Sequence, residues 1–351
     1  MRLREMKPDE VFFRTINHLN AYRLKEYGKP NYFSMYRCSH HKGMSGTKDN
    51  LYLTEVVSYG AGIGHQLANW IAGYWFARLF GIKYAYSPFT YSAVPFRPNA
   101  WDRLLGFREG EITAEQLLKT GYKKVQLPYF DENNDDEVNE IQRIIDSYSG
   151  EKVVFFLEAN QYYRDQFGVM DVIGKKFFSA PARKQDNLIY DPYYYNVAMH
   201  IRRQVVIDSK IIVENETQRA KRWTGNEYYE EVLKALAKLN FGKPIKIHVF
   251  STGKPEEFES FKQYGDVRIC SDLDEYASFV HLVHADMLVT SKSSFSYKPA
   301  LMSKGIKVCP EGFWHGYPDL PDWFILGSDG KMTEDQICRL EEQINLKRGL
   351  L

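Results

Sequence analysis

The chain has 351 residues, enough for two domains of ordinary size. It is 44% hydrophobic and 26% charged, which excludes an unstructured chain. Its 46 basic and 45 acidic side chains leave a net charge of +1, which excludes a whole-chain pull toward nucleic acid or anionic lipid.

The opening stretch, MRLREMKPDEVFFRTINHLN, has scattered charge and no apolar run, and no window approaches the roughly 18 apolar residues of a membrane span. The expectation is a cytoplasmic protein with no nucleic-acid partner and no membrane span. His40, His41 and Gly43 fall in a polar stretch that reads as a loop. The four cysteines, Cys38, Cys270, Cys309 and Cys338, are far apart and form no CxxC pair, so reduced thiols are expected rather than a zinc or disulfide framework.

From Leu51 the pattern sharpens. LYLTEVVSY reads as a buried strand and GAGIGHQ as a glycine-rich turn. Leu67, Ile71, Tyr74, Trp75, Arg78 and Leu79 then recur at helical spacing up to Gly81, and IKYAYS follows as a strand. The acidic run DENNDDEVNE at 131–140 predicts a solvated loop or a helix start, and VVFFLEAN another buried strand. The Pro- and Tyr-rich stretch at 180–196 marks a domain boundary, giving domains 1–185 and 186–351. Beyond it, strands NVAMHIRR, PIKIHVFS, VRICS, DMLVTS and IKVCP alternate with helices NEYYEEVLKALAKL, PEEFESFKQY, DEYASFVHLVHA and SSFSYKPALMSKG. That alternation predicts an α/β fold with parallel sheets: two Rossmann-like domains, with ligands at the carboxyl ends of the strands in an interdomain cleft.

Three motifs fall at such strand ends. HIRR, residues 200–203, carries Arg202 and Arg203, whose planar forks of donors match phosphate oxygens. In TSKSSFSYKPA, residues 290–300, a strand ends in hydroxyl residues before a helix; Ser293 or Ser294 can cap it, and its free N–H groups suit an anion. Pro299 is an irregularity inside that helix. GAGIGHQ, residues 60–66, departs from the dinucleotide fingerprint where His65 replaces the third glycine, and no acidic residue ends the next strand. Gly62 and Gly64 allow close approach of a ligand, with His65 and Gln66 directed into the cleft.

In this order the motifs resemble those of the fucosyltransferase superfamily that includes α1,2-, α1,6- and protein O-fucosyltransferases. There the first turn resembles G-x-G-N-Q before an aromatic helix, here GIGHQLANWIAGYWFARLFG. The second domain opens on H-x-R-R-G-D, here His200-Ile201-Arg202-Arg203. The last turn resembles S-x-S-S-F-S, here Ser291-Lys292-Ser293-Ser294-Phe295-Ser296. The resemblance covers about residues 51–310 and implies a GT-B fold with transfer from a nucleoside-diphosphate sugar, GDP-linked, to a glycan hydroxyl. It further implies inversion at the anomeric carbon and no obligatory metal or other cofactor. Arg202 or Arg203 would hold the β-phosphate, Ser293, Ser294 and Phe295 the diphosphate and ribose, and His200 would lie near the base; Ser251 and Asp272, at neighbouring strand ends, join the donor side. Inverting transfer usually needs a base, and Asp208, Glu158 and His65 are the candidates.

The family pattern is broken at Gln204-Val205, where Gly-Asp is expected, and at His65, which stands for Asn. Fucose or a related sugar is therefore the expected donor sugar. A nucleotide-binding protein without catalysis is the alternative, and an NAD(P)-dependent oxidoreductase resting on the glycine turn a weaker one. Asp272-Leu273-Asp274 could hold a divalent ion as a D-x-D motif, or Asp274 could cap the next helix. His281 and His284 read as core histidines, and GFWHGYPDLPDW at 312–323 as either a packed crossing or an aromatic wall for a sugar.

Overall fold

The computed structural model describes residues 46–58, 61–89, 100–158, 161, 163–203, 205–207, 210–212 and 221–348. Asp208, Gly60, Gln204, His40 and His41 lie outside the described residues. The described residues form two compact units: those within Met1–Tyr59, Gln66–Thr90 and Arg108–Tyr163, and those within Gly60–His65, Tyr91–Phe107 and Arg164–Leu351.

The elements run in order β1 (Leu51–Thr54), α1 (Ile63–Leu79), β2 (Lys83–Tyr84), α2 (Ala100–Leu105), α3 (Ala114–Lys119), β3 (Lys123–Gln126), α4 (Asp135–Asp146), β4 (Val153–Phe156) and α5 (Met170–Ser179). Then come β5 (Tyr195–Ile201), β6 (Val205–Ile207), β7 (Lys210–Ile212), α6 (Asn226–Leu236), β8 (Ile245–Ser251), β9 (Asp266–Ile269), α7 (Glu275–His284), β10 (Met287–Val289), α8 (Ser294–Met302), β11 (Ile306–Pro310), β12 (Trp323–Leu326) and α9 (Glu334–Arg348).

The first unit holds a four-stranded sheet ordered β2-β1-β4-β3, every pair parallel. Leu51, Leu53, Val153 and Phe155 of its central strands pack with Phe76, Phe80, Phe130, Ile141 and Ile145. The predicted strand at 51–59 closes early, at Thr54. Glu55 follows, buried, with the Tyr84 hydroxyl donating to its carboxylate at 3.0 Å from either oxygen. The acidic run becomes α4: Asn134 caps it, accepting from the N–H groups of Asp136 and Glu137, and acids in the first turn complement the helix dipole.

The second unit holds a six-stranded sheet ordered β12-β11-β10-β5-β8-β9, again wholly parallel, while β6 and β7 form an antiparallel ribbon. Counted within the six-stranded sheet, the order is 3-2-1-4-5-6, the doubly wound arrangement. β5 is buried along its whole length, as a central parallel strand must be. Both units thus carry the parallel α/β sheet expected from the alternation of strands and helices.

α5 and the turn after it, which precede the expected boundary at 185/186, pack on second-unit elements. Phe177 lies 5.8 Å from His284, and Arg183 donates to the Leu104 carbonyl at 3.0 Å. The helix at Pro255–Tyr264 is 3₁₀ rather than α. Phe258, Phe261 and Tyr264 are spaced by three, so three residues per turn bring all of them onto the core. Among the described residues no helix is long and apolar enough to cross a membrane.

Candidate functional site

The crossovers leave β5 on one side toward β8 and β9, and β10 on the other toward β11 and β12. In open α/β sheets the crevice at such a reversal, beyond the carboxyl ends of the strands, is the place where ligands bind. Two of the three motifs meet there. His200 ends β5 and Ser291 follows β10, and His200 Nδ1 lies 2.8 Å from Ser291 Oγ. The imidazole is buried, 5.5 Å from the Phe295 ring. Burial, with Arg202 adding repulsion, pushes its pKa down to about 3, so it is neutral at physiological pH.

The serine-rich turn is folded on itself. Ser293 N–H donates to the Ser291 carbonyl at 2.7 Å, and Ser291 N–H to Ser296 Oγ at 3.2 Å. Ser293 caps α8, accepting from Phe295 N–H at 3.3 Å. Ser294 and Phe295, half-buried, form the first turn, where the N–H groups of Phe295, Ser296 and Tyr297 are all taken up by Ser293.

The two arginines part company. Arg202 is half-buried. Arg203 is buried, and its guanidinium donates to the carbonyls of Arg202 at 3.1 Å and Thr224 at 3.0 Å and to the Asn226 side chain. It also pairs with Glu257 at 3.5 Å and lies 4.5 Å from the Trp223 ring and 5.5 Å from that of Phe258. Arg203 is thus occupied by its own unit.

The glycine turn is brought to the same place. A Cβ on Gly64 would stand 2.7 Å from the backbone of Ser294, so this glycine serves a close approach to α8 rather than to a ligand. A Cβ on Gly62 would meet nothing within 4 Å. His65 is half-buried, its basicity lowered by burial and by the charges of Lys298 and Arg222. Gln66, expected beside His65 in the cleft, has no exposed surface.

Sequence reasoning passed over three residues here. Lys298 has no exposed surface, and its Nζ has no hydrogen-bond partner among the described residues. His315 stacks on Tyr297 at 5.4 Å and is held neutral by burial. Arg222 lies 5.0 Å from the half-exposed Trp314 ring. The segment at 312–323 therefore packs on α8, with Tyr297 donating to the Gly316 carbonyl at 2.6 Å. Only a buried lysine's surroundings identify it, and nothing in the spacing of SYKPALM does so.

The remaining candidates are dispersed. Glu158, half-buried, follows β4 in the first unit and accepts from Gln161 N–H through its carbonyl at 2.9 Å. Ser251 ends β8 and accepts from Gly253 N–H at 3.0 Å. Asp274 caps α7, accepting from Ala277 N–H at 2.8 Å, and the exposed Asp272 pairs with Arg268 at 2.8 Å. His281 is a satisfied core histidine: it accepts from Ile189 N–H at 2.9 Å and donates to the Ala277 carbonyl at 2.6 Å. His284 lies 3.3 Å from Asp186. Among the described residues no three His, Cys, Asp or Glu side chains cluster as a metal site would require.

No family model and no curated protein matches the chain. Among solved structures, POFUT1 in complex with GDP-fucose matches over 80% of this chain and 99% of its own, at 12% identity and a TM-score of 0.45. The fucosyltransferase NodZ from Bradyrhizobium matches over 73% and 94%, at 11% identity and 0.43. Arabidopsis thaliana FUT1 in complex with GDP matches over 84% and 77%, at 12% identity and 0.41. Likeness at this level assigns no role to any side chain.

Proposed function

We propose that this chain is a glycosyltransferase that moves a sugar, fucose or a close relative, from a GDP-linked donor to a glycan hydroxyl, with inversion and without a metal. The observation that carries the reading is the His200–Ser291 hydrogen bond. It ties the HIRR and SKSSFS motifs together at the reversal point of a doubly wound sheet, with the start of α8 and Arg202 alongside.

In the proposed reaction the acceptor oxygen bonds to the anomeric carbon as the bond from that carbon to the β-phosphate oxygen breaks. The bonding pair leaves with the diphosphate, so negative charge grows there. Fixed donors act best where charge develops in the transition state, and in this reading the Arg202 guanidinium is such a donor. Asp272 and Asp274 are engaged by Arg268 and by the α7 backbone, so the reading routes the diphosphate to basic groups. The acceptor proton goes to a base, for which Asp208, Glu158 and His65 are the candidates. Burial keeps His65 unprotonated at neutral pH and so able to accept a proton.

Thermal unfolding with GDP, UDP and NAD(P) tests this, followed by detection of slow hydrolysis across a panel of nucleotide sugars. GDP should raise the melting temperature, and a GDP-sugar should be the one hydrolysed. Stabilisation by NAD(P) alone, or by none of these ligands, would overturn the reading.

A further inference from the structure

The second unit carries a cavity at the end of its sheet opposite to His200 and the serine-rich turn. It is lined by the amino-terminal edge of the strands: Tyr195 opens β5, Asp286 stands just before β10 and Gly305 just before β11. Seven residues of β5, at a rise of about 3.3 Å each, put roughly 20 Å of strand between this edge and the carboxyl end. The cavity has a volume of about 410 Å³, in the range of small-molecule sites. Its walls are mostly rings: Phe178 at the end of α5, Tyr194, Tyr195 and Phe241, with the centroids of the last two 4.7 Å apart. Rings set this way give up water at little cost and offer faces and edges to another flat ring.

The charges around this cavity are unbalanced. Lys243, Lys304, Lys347 and Arg348 all line it, against the single carboxylate of Asp286, which already accepts from Asn196 N–H at 2.8 Å. Asp322 answers Lys347 at 3.3 Å. Among the described residues no carboxylate pairs with Lys243, Lys304 or Arg348. Lys304 Nζ lies 4.4 Å from the Phe178 ring, and the Arg348 guanidinium packs where a side chain on Gly242 would stand, next to Phe241 in the chain. Two cations without an acid are thus held beside two of the wall rings. We propose that this cavity binds an amphipathic aryl anion, its flat apolar body among the rings and its acidic group on Lys304 and Arg348. Such a group gains charge-assisted hydrogen bonds from cations that the fold leaves unanswered. The proposed sugar transfer makes no use of this edge of the sheet, so the two readings stand independently.

Fluorescence titration of the folded protein with anilinonaphthalene sulfonate, whose emission rises in an apolar seat, tests this. The dye should bind saturably, one per chain. Neutral phenylnaphthylamine, which has the rings without the sulfonate, should bind roughly tenfold more weakly, the equivalent of a charge-assisted hydrogen bond. The double variant Lys304→Gln, Arg348→Gln changes exposed side chains only, so it should melt with the parent. It should lose about that same factor for the dye and none for phenylnaphthylamine. Lys262→Gln, which removes an exposed lysine of the same unit paired with Glu259, should leave both affinities unchanged. GDP should not displace the dye. Absence of saturable binding, equal affinity for the neutral compound, parental dye affinity in the double variant, equal weakening by Lys262→Gln, or competition by GDP would each overturn the proposal.

Discussion

Arg202 and Arg203 are adjacent, yet their side chains have different work, because successive residues leaving a strand face opposite ways. Arg203 is buried among two carbonyls, Asn226, Glu257 and two aromatic rings. Removing one partner of a buried charge network costs about 3–5 kcal/mol. Arg203→Ala should therefore melt well below the parent, and Arg203→Lys should not restore it, since a point charge cannot replace the planar fork. On the proposed function, Arg202→Ala should melt above Arg203→Ala and lose roughly 10- to 100-fold in GDP affinity, the equivalent of a charge-assisted hydrogen bond. Melting curves and GDP titrations of the three variants check this, and equal melting of Arg202→Ala and Arg203→Ala would contradict the division of labour. The sequence marked both arginines, but strand alternation alone does not say which side is solvent. Lys298 and His315 were illegible for a related reason: both are buried by segments far away in the chain.

At the scale of elements, the second half was legible because buried parallel strands are short apolar runs between amphipathic helices. NVAMHI, IKIHVFS and IKVCP became β5, β8 and β11 almost residue for residue. The misses have identifiable causes. β12 is four residues following a Gly- and Pro-rich stretch, and α9 is strongly polar, burying little beyond Leu340 and Ile344. PEEFESFKQY is a helix as expected, but its aromatic residues at 258, 261 and 264 are three apart and suit the tighter 3₁₀ form. The glycine turn was legible in the sequence, but the packing of one of its glycines on a distant helix was not, and the structure separates the two. Gly64→Ala drives a methyl into the backbone of Ser294 and should cost roughly 2 kcal/mol, in line with other overpacking substitutions. Gly62→Ala meets open space and should cost no more than a few tenths of a kcal/mol. Urea unfolding of both checks this; equal losses would mean that the close approach is not what the turn is for.

At the scale of the molecule, the buried titratable groups of the two units pull in opposite directions with pH. In the first unit burial pushes Glu55 up to about 8, against 4.5 for an ordinary carboxyl. The unfolded chain gives up this proton first, so the stability it contributes is fully present below 4.5 and is lost as pH rises through 8. Each unit of separation is worth about 1.4 kcal/mol, several kcal/mol over the window. In the second unit burial pushes His200 down to about 3 and His248 to about 4, against 6.5 when unfolded. Their contribution is fully present above 6.5 and is lost as pH falls through 4 and then 3. Glu55→Gln should therefore gain on the parent in scanning calorimetry as pH rises from 5 to 8.5. The parent should also melt progressively lower as pH drops below 6.5. A gap between parent and variant that stays constant from pH 5 to 8.5 would show that Glu55 is ionised in the folded unit.

The backbone passes from one unit to the other five times, and each unit is assembled from three separate stretches. No single cleavage therefore releases a self-contained half. A fragment beginning at Arg164 would lack both the residues that pack on Ser294 and the Trp101 ring that sits 4.5 Å from Tyr276. Recombination with a foreign half would have to carry three inserts at once.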